Sequence, residues 1–148
     1  MTKTELAEMY RGYLAEEGYV PHIDEDGDIV FKFEGASYLV AIDEDDPEFF
    51  RLVLPNICPI ESEREGELVL RAAMHSTAKT KAVKVYPVRD NTWAALEMFC
   101  APPETFKSVF QRCLRALQTG VRQFRERLNE LRAEAEGKSP APGAAQDH

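Results

Sequence analysis

Ile29-Val30-Phe31-Lys32-Phe33-Glu34, followed after Gly35 by Ser37-Tyr38-Leu39-Val40-Ala41-Ile42, decides the fold class of this chain. Ile29, Phe31 and Phe33 alternate with Val30, Lys32 and Glu34, and Tyr38, Val40 and Ile42 repeat the alternation. Phe50, Leu52 and Leu54 form a third such run. Apolar residues at period two put one face of a strand on a core and the other toward water. Residues 19–57 therefore read as a meander of short strands, and they hold almost no groups suited to catalysis.

Working outward, the spacing predicts strands at Tyr19–Asp24, Asp28–Glu34, Ser37–Ile42 and Phe49–Asn56. Pro21 lacks a ladder donor, which suits an edge position for the first strand. Asp26-Gly27 is a tight-turn signal. The run Asp43-Glu44-Asp45-Asp46-Pro47-Glu48 reads as a solvated connection, with one helical turn begun by Asp46 and Pro47. Thr2 and Glu5 have capping-box spacing, so a first helix begins near Thr2 and stops at Gly18. Leu6, Met9, Tyr10, Tyr13 and Leu14 form its apolar stripe. A second capping box, Ser62 with Glu65, opens a helix running to about Lys79. That helix is apolar nearly all round its centre, which predicts deep burial. Ala82–Val88 and Thr92–Phe99 form a hairpin around Asp90-Asn91. Pro103 suits the first position of a long helix reaching about Glu136.

The expected order is α-ββββ-α-ββ-α, an α+β fold with an antiparallel sheet. One domain spans residues 1–136, and residues 137–148 read as a disordered tail. The chain has 148 residues and 44% hydrophobic content, enough for a core without a metal or disulfide. Cys58, Cys100 and Cys113 form no C-x-x-C pair, and no apolar segment follows Met1. These features predict a reduced, cytoplasmic protein with neither a secretory signal nor a membrane span.

Net charge is −8, unevenly spread. Residues 1–60 hold fourteen acidic and four basic side chains, whereas residues 61–148 hold twelve acidic and fourteen basic. An acidic first half argues against broad nucleic-acid binding, which needs a contiguous positive field. Arg112, Arg115, Arg122, Arg125 and Arg127 decorate the last helix but lack interleaved aromatics.

In that helix Phe110, Leu114, Leu117, Val121, Phe124, Leu128 and Leu131 follow spacings of 4, 3, 4, 3, 4 and 3. This heptad stripe is about 33 Å long at 1.5 Å per residue. Five-residue strands make a sheet of roughly 17–20 Å, so the stripe reads either as packing on the home sheet or as an overhang needing a partner. Val121, Phe124, Leu128 and Leu131 are the candidate protein contacts, with homodimerisation through this helix or the sheet as one outcome. In a parallel pair Arg127 would face Arg132, which opposes a simple coiled coil.

Candidate reactive groups have plainer readings. Asp24, Asp26 and Asp28 resemble calcium ligands, but positions six and twelve counted from Asp24 are Ile29 and Gly35 rather than Gly and Glu. A hairpin corner is the better reading, and no metal or cofactor is expected. No P-loop, G-x-G-x-x-G or G-x-S-x-G is present. Cys58 and Cys113 read as small apolar residues. His75, with Ser76, Thr77 and the Lys79–Lys84 strip, defines the rival reading: a polar pocket for a small ligand or an enzyme.

Leu14-Ala15-Glu16-Glu17-Gly18-Tyr19, Asp24-Glu25-Asp26-Gly27-Asp28-Ile29-Val30-Phe31, Thr77-Ala78-Lys79-Thr80-Lys81, Ala82-Val83-Lys84-Val85-Tyr86 and Glu97-Met98-Phe99 share one further property. In this order, over about residues 4–131, they resemble the YbjN-like bacterial proteins described as sensory transduction regulators. The resemblance implies a fold like that of type III secretion chaperones, α-β-β-β-α-β-β-α. It also implies a non-enzymatic, often dimeric, interaction module with a chaperone-like or regulatory role. Many members carry Asn near the position of His75, where this chain departs. The family supplies no catalytic residues.

Overall fold

The structure, a computed structural model, describes residues 1–137. Helix α1 (Lys3–Glu16) is followed by β1 (His22–Ile23), β2 (Ile29–Phe33), β3 (Ala36–Val40) and β4 (Phe49–Leu54). Helix α2 (Glu63–Lys79), β5 (Val83–Val88), β6 (Asn91–Phe99), a 3-10 turn at Pro103–Thr105 and α3 (Phe106–Ala135) complete the chain. The fold is α+β, three helices on a six-stranded antiparallel sheet ordered β1-β2-β3-β4-β6-β5. The expected α-ββββ-α-ββ-α order is the observed one.

The period-two runs explain the sheet. Ile29, Phe31, Tyr38, Val40, Phe50, Leu52 and Leu54 all point into one core with Val83, Val85, Ala94 and Leu96. Helix α1 closes over it through a ring cluster, with the Tyr10 and Phe106 centroids 4.5 Å apart and Tyr13 edge-on to both Phe106 and Phe110. Its capping box is complete: Thr2 Oγ1 accepts from the Glu5 N–H and Glu5 Oε1 from the Thr2 N–H. These bonds hold the Glu5 carboxyl below its ordinary range.

Several elements differ from the sequence reading. Strand β1 shrinks to His22–Ile23, because Pro21 stops the ladder and Asp24 turns the chain. The acidic connection makes turns around Asp43–Asp46 rather than a helical turn. The β5–β6 turn sits at Arg89-Asp90, one residue early, with Val88 paired to Asn91 and Arg89 at φ 57. Pro103 opens the 3-10 turn, so α3 begins at Phe106. The second capping box is half made. Ser62 Oγ accepts from the Glu65 N–H, but the Glu65 carboxylate turns to Arg132. At the far end Gly137, at φ 76, closes α3 in a turn, and the rest of the expected tail lies outside the described residues.

The overhang expected of α3 is covered within the chain. At thirty residues α3 is about 45 Å long. Helix α2 runs antiparallel along its second half: Arg132 Nε donates to Glu65 Oε1 at 2.9 Å, and Ser76 Oγ donates to the Gly120 carbonyl at 2.6 Å. Gly120 allows that approach, since a Cβ there would lie 2.6 Å from Val83 Cγ1.

Candidate interaction surface

The predicted contact residues are not on the surface. Val121, Phe124, Leu128 and Leu131 are 0–4% exposed and belong to the core. The heptad stripe does meet a second helix, but that helix is α2 of the same chain. The proposed contact set is therefore corrected: these four side chains hold the fold together, and a partner must be met elsewhere.

Helix α2 also departs from expectation. Val69, Ala72, Ala73 and Ser76 are buried, whereas Leu70 and Met74 are 49% and 73% exposed. His75 is half-buried on its flank. Neither His75 nor any residue of Lys79–Lys84 lines the clefts beside α3, Tyr19, Arg51 or Glu65. The expected polar pocket at that strip is not among them.

The sheet's other face is the informative surface. Val53 and Ala95 are fully buried yet stand outside the core cluster, while their neighbours Leu52, Leu54, Ala94 and Leu96 stand inside it. Alternation therefore puts Val53 and Ala95 on the face opposite the helices. Register places Val30, Leu39, Val53, Ala95 and Lys84 in one row across five strands. On one side of that row stand Trp93 and Tyr86, a cross-strand pair, and on the other Arg51 and Glu97. Phe49 pairs with Phe99 beyond them, centroids 5.8 Å apart, and Phe99 is 74% exposed.

Polar contacts fix this face; Val53 and Ala95 are shielded beneath their neighbours, while Val30, Leu39 and Trp93 stay part-exposed. Arg51 Nε lies 2.8 Å from Glu97 Oε2, close but not aimed at it, and Arg51 Nη2 donates to the Tyr86 hydroxyl at 3.0 Å. Lys84 pairs with the other Glu97 oxygen, and its ammonium lies 5.2 Å from the Tyr86 ring centre. Trp93 Nε1 donates to Asn56 Oδ1 at 3.2 Å. With Lys32, the face holds three cations against one carboxylate, on a chain of net charge −8.

Both sheet edges are blunted against strand addition. On β5, Thr77 Oγ1 accepts from the Val85 N–H at 3.0 Å, and Pro87 has no donor to offer. On the other side β1 is two residues long behind Pro21, leaving only Phe31–Phe33 of β2 beyond it.

The remaining candidate groups have structural roles. Asp24, Asp26 and Asp28 bring carboxylate oxygens within 4.8 Å of one another. Asp24 Oδ1 already accepts from the Asp26 and Asp28 N–H groups, and Asp28 Oδ1 from Ile42 N–H. The Lys3 side chain lies over Gly27, supplying a cation from α1. Burial pushes the Asp28 carboxyl above its ordinary value. The three cysteines are free and buried, and burial raises each thiol, Cys113 to about 11. A thiol in that state is a poor nucleophile at neutral pH.

A cleft of about 610 Å³ separates the β3 and β4 ends from α3, lined by Tyr38, Asn56, Gln118, Arg122, Arg125 and Asn129 among others. Gln118 Nε2 donates to Glu34 Oε2 across it at 2.9 Å. Glu34 and Asn56 at its rim have left-handed backbones, φ 48 and 55. Sequence reading missed this cleft because its residues come from three distant segments.

Among the described residues no helix is long and apolar enough to cross a membrane. No protein-family model matches the chain, and no curated protein matches it.

Proposed function

We propose that this chain is a non-enzymatic interaction module, chaperone-like or regulatory, that binds another polypeptide on the helix-free face of its sheet. One observation carries the reading. Val30, Leu39 and Trp93 stand part-exposed around the fully buried Val53 and Ala95, making an apolar strip on a face no described helix covers, while the sheet edges are blunted. An apolar strip part-exposed at its margins, with aromatics at its border, is the composition of an interface centre. The surplus of cations, Lys32, Arg51 and Lys84 against Glu97, favours an occupant with apolar side chains flanked by acidic ones. The resemblance to YbjN-like proteins points the same way. Three free thiols, raised by burial, support a reducing, cytoplasmic setting.

The test is selection of displayed random peptides on the immobilised full chain. Enriched sequences combine aromatic or aliphatic residues with Asp or Glu, and their binding falls at least about tenfold, roughly 1.4 kcal/mol, in Phe99→Asp or Leu39→Asp. Peptides that bind both variants as tightly as the parent would overturn the assignment.

A further inference from the structure

The cleft of about 610 Å³ beside α3 falls in the size range of small-molecule sites. Ala36, Pro55 and Ile57 line it part-exposed, above Leu54, Val121 and the Tyr38 ring, which are nearly buried. Its walls are preformed. Glu34 and Asn56 hold the rim in left-handed backbones, φ 48 and 55, which is uncommon for Glu. Asn56 Oδ1 is further tied to β6 by accepting from Trp93 Nε1, and Glu34 Oε2 to α3 by accepting from Gln118 Nε2. Non-glycine residues in such conformations gather at binding sites.

The charges on these walls point to what fills the cleft. Arg122 and Arg125 stand one turn apart on α3, so both rise from the same face. Among the described residues neither has a carboxylate at ion-pair distance. Of the two acids lining the cleft, Glu34 is already held by Gln118, and Glu126 stands exposed beside Arg125. Burial raises the Tyr38 phenol and the Cys58 thiol, and the Arg125 charge opposes both shifts, so that charge reaches the cleft floor. Tyr38 stays protonated at neutral pH and keeps a hydrogen to donate.

We propose that this cleft binds a small aromatic monocarboxylate, its carboxylate held by Arg122 and Arg125 and its ring laid over Ala36, Pro55 and Ile57. A guanidinium donates two parallel bonds to a carboxylate and also stacks on aromatic rings, so the two arginines serve both ends of such a ligand. Two cations against Glu34 and Glu126 leave the walls neutral, which suits one negative charge and disfavours a polyanion. The cleft lies on the helix side of the sheet, lined by α3. Failure of this binding therefore says nothing against a polypeptide on the helix-free face, and the reverse also holds.

Titration of the full chain with 2-naphthoate, followed by two-dimensional amide NMR, tests it. The expected result is a saturable shift centred on Tyr38, Gln118, Arg122 and Arg125, with a dissociation constant of about 0.1–1 mM for so small a probe. Uncharged 2-naphthalenemethanol should bind at least about fivefold more weakly, the scale of exposed ion pairs. Inorganic phosphate, an anion without an apolar body, should not saturate by about 10 mM. Arg122→Gln with Arg125→Gln should weaken 2-naphthoate at least about fivefold and leave the alcohol unchanged. Circular dichroism verifies that the double variant keeps its helices; should it not fold, each single variant and the two control probes decide. No saturable shift with 2-naphthoate by about 10 mM, shifts centred away from the cleft, equal binding of the alcohol or of phosphate, or unchanged binding in the arginine variants overturns the proposal.

Discussion

Replacing Gly120 with Ala probes how closely α3 is held by the rest of its own chain. Alanine is the better helix former by about 1 kcal/mol, so in an exposed helix the change stabilises. Here the new Cβ would sit 2.6 Å from Val83 Cγ1, 3.2 Å from Val83 Cβ and 3.5 Å from Thr80 Cγ2. Ordinary contact is near 3.4 Å or more, so the neighbours must retreat by most of an ångström. Val83 is 4% exposed and stiff at χ1, and β5 begins with it, so the retreat displaces a strand or the helix. Overpacking of this kind costs about 1–3 kcal/mol. Shifting α3 would also stretch the 2.6 Å bond from Ser76 to the Gly120 carbonyl, which is buried on both sides. The clash offsets the propensity gain, and Gly120→Ala should lower stability by up to about 2 kcal/mol in urea. Val83→Ala makes room, so the double variant should lose less than the sum of the singles by about 1 kcal/mol or more. A Gly120→Ala variant more stable than its parent would show that α2, β5 and α3 do not converge this closely.

Phe124→Ala should cost about 3–5 kcal/mol, measured by thermal unfolding, because Phe124 is fully buried; a loss under about 1 kcal/mol would place it outside the core. Ellman's reagent should find three thiols in denaturant and react far more slowly with the native chain, since each thiol is buried and shifted upward; fast native labelling would contradict this. Burial raises the folded-state pKa of Asp28 above its unfolded value, so the native state binds its proton more tightly. That contribution is fully present below the unfolded pKa and is lost as pH rises through the folded one. Asp28→Asn keeps an acceptor for Ile42 N–H and removes the charge, so its melting temperature should gain on the parent's at pH 7 and not at pH 3. An equal difference at both pH values refutes the shift.

What the sequence made legible follows one physical distinction. Period-two strands such as Ile29–Phe33 announce which face is buried, because a sheet covered on one side must alternate. The Thr2–Glu5 box likewise acts within three residues, where spacing alone suffices. The heptad stripe of α3 was equally visible, but a stripe states only that a helix needs a neighbour. It does not say whether the neighbour belongs to the same chain, so Val121, Phe124, Leu128 and Leu131 read as partner contacts when α2 and the sheet had claimed them. Leu68-Val69-Leu70 looked buried all round because composition was read without direction; α2 has one inward face, and Leu70 is off it. Edge protection by Thr77 rests on a side-chain bond to a backbone eight residues away, which no periodicity encodes. Arg89 takes a left-handed turn position that Asn or Asp usually fills, which moved the hairpin turn by one residue.

The central claim is that a partner polypeptide docks on the helix-free face. Trp93, the single tryptophan of the chain, borders the apolar strip of that face, so its fluorescence reports directly on occupancy. Titration with a selected apolar, acidic peptide should shift or quench Trp93 emission along a saturating curve whose midpoint equals the calorimetric dissociation constant. Phe99→Asp should move both midpoints together. Calorimetric binding that leaves Trp93 emission unchanged would contradict the account.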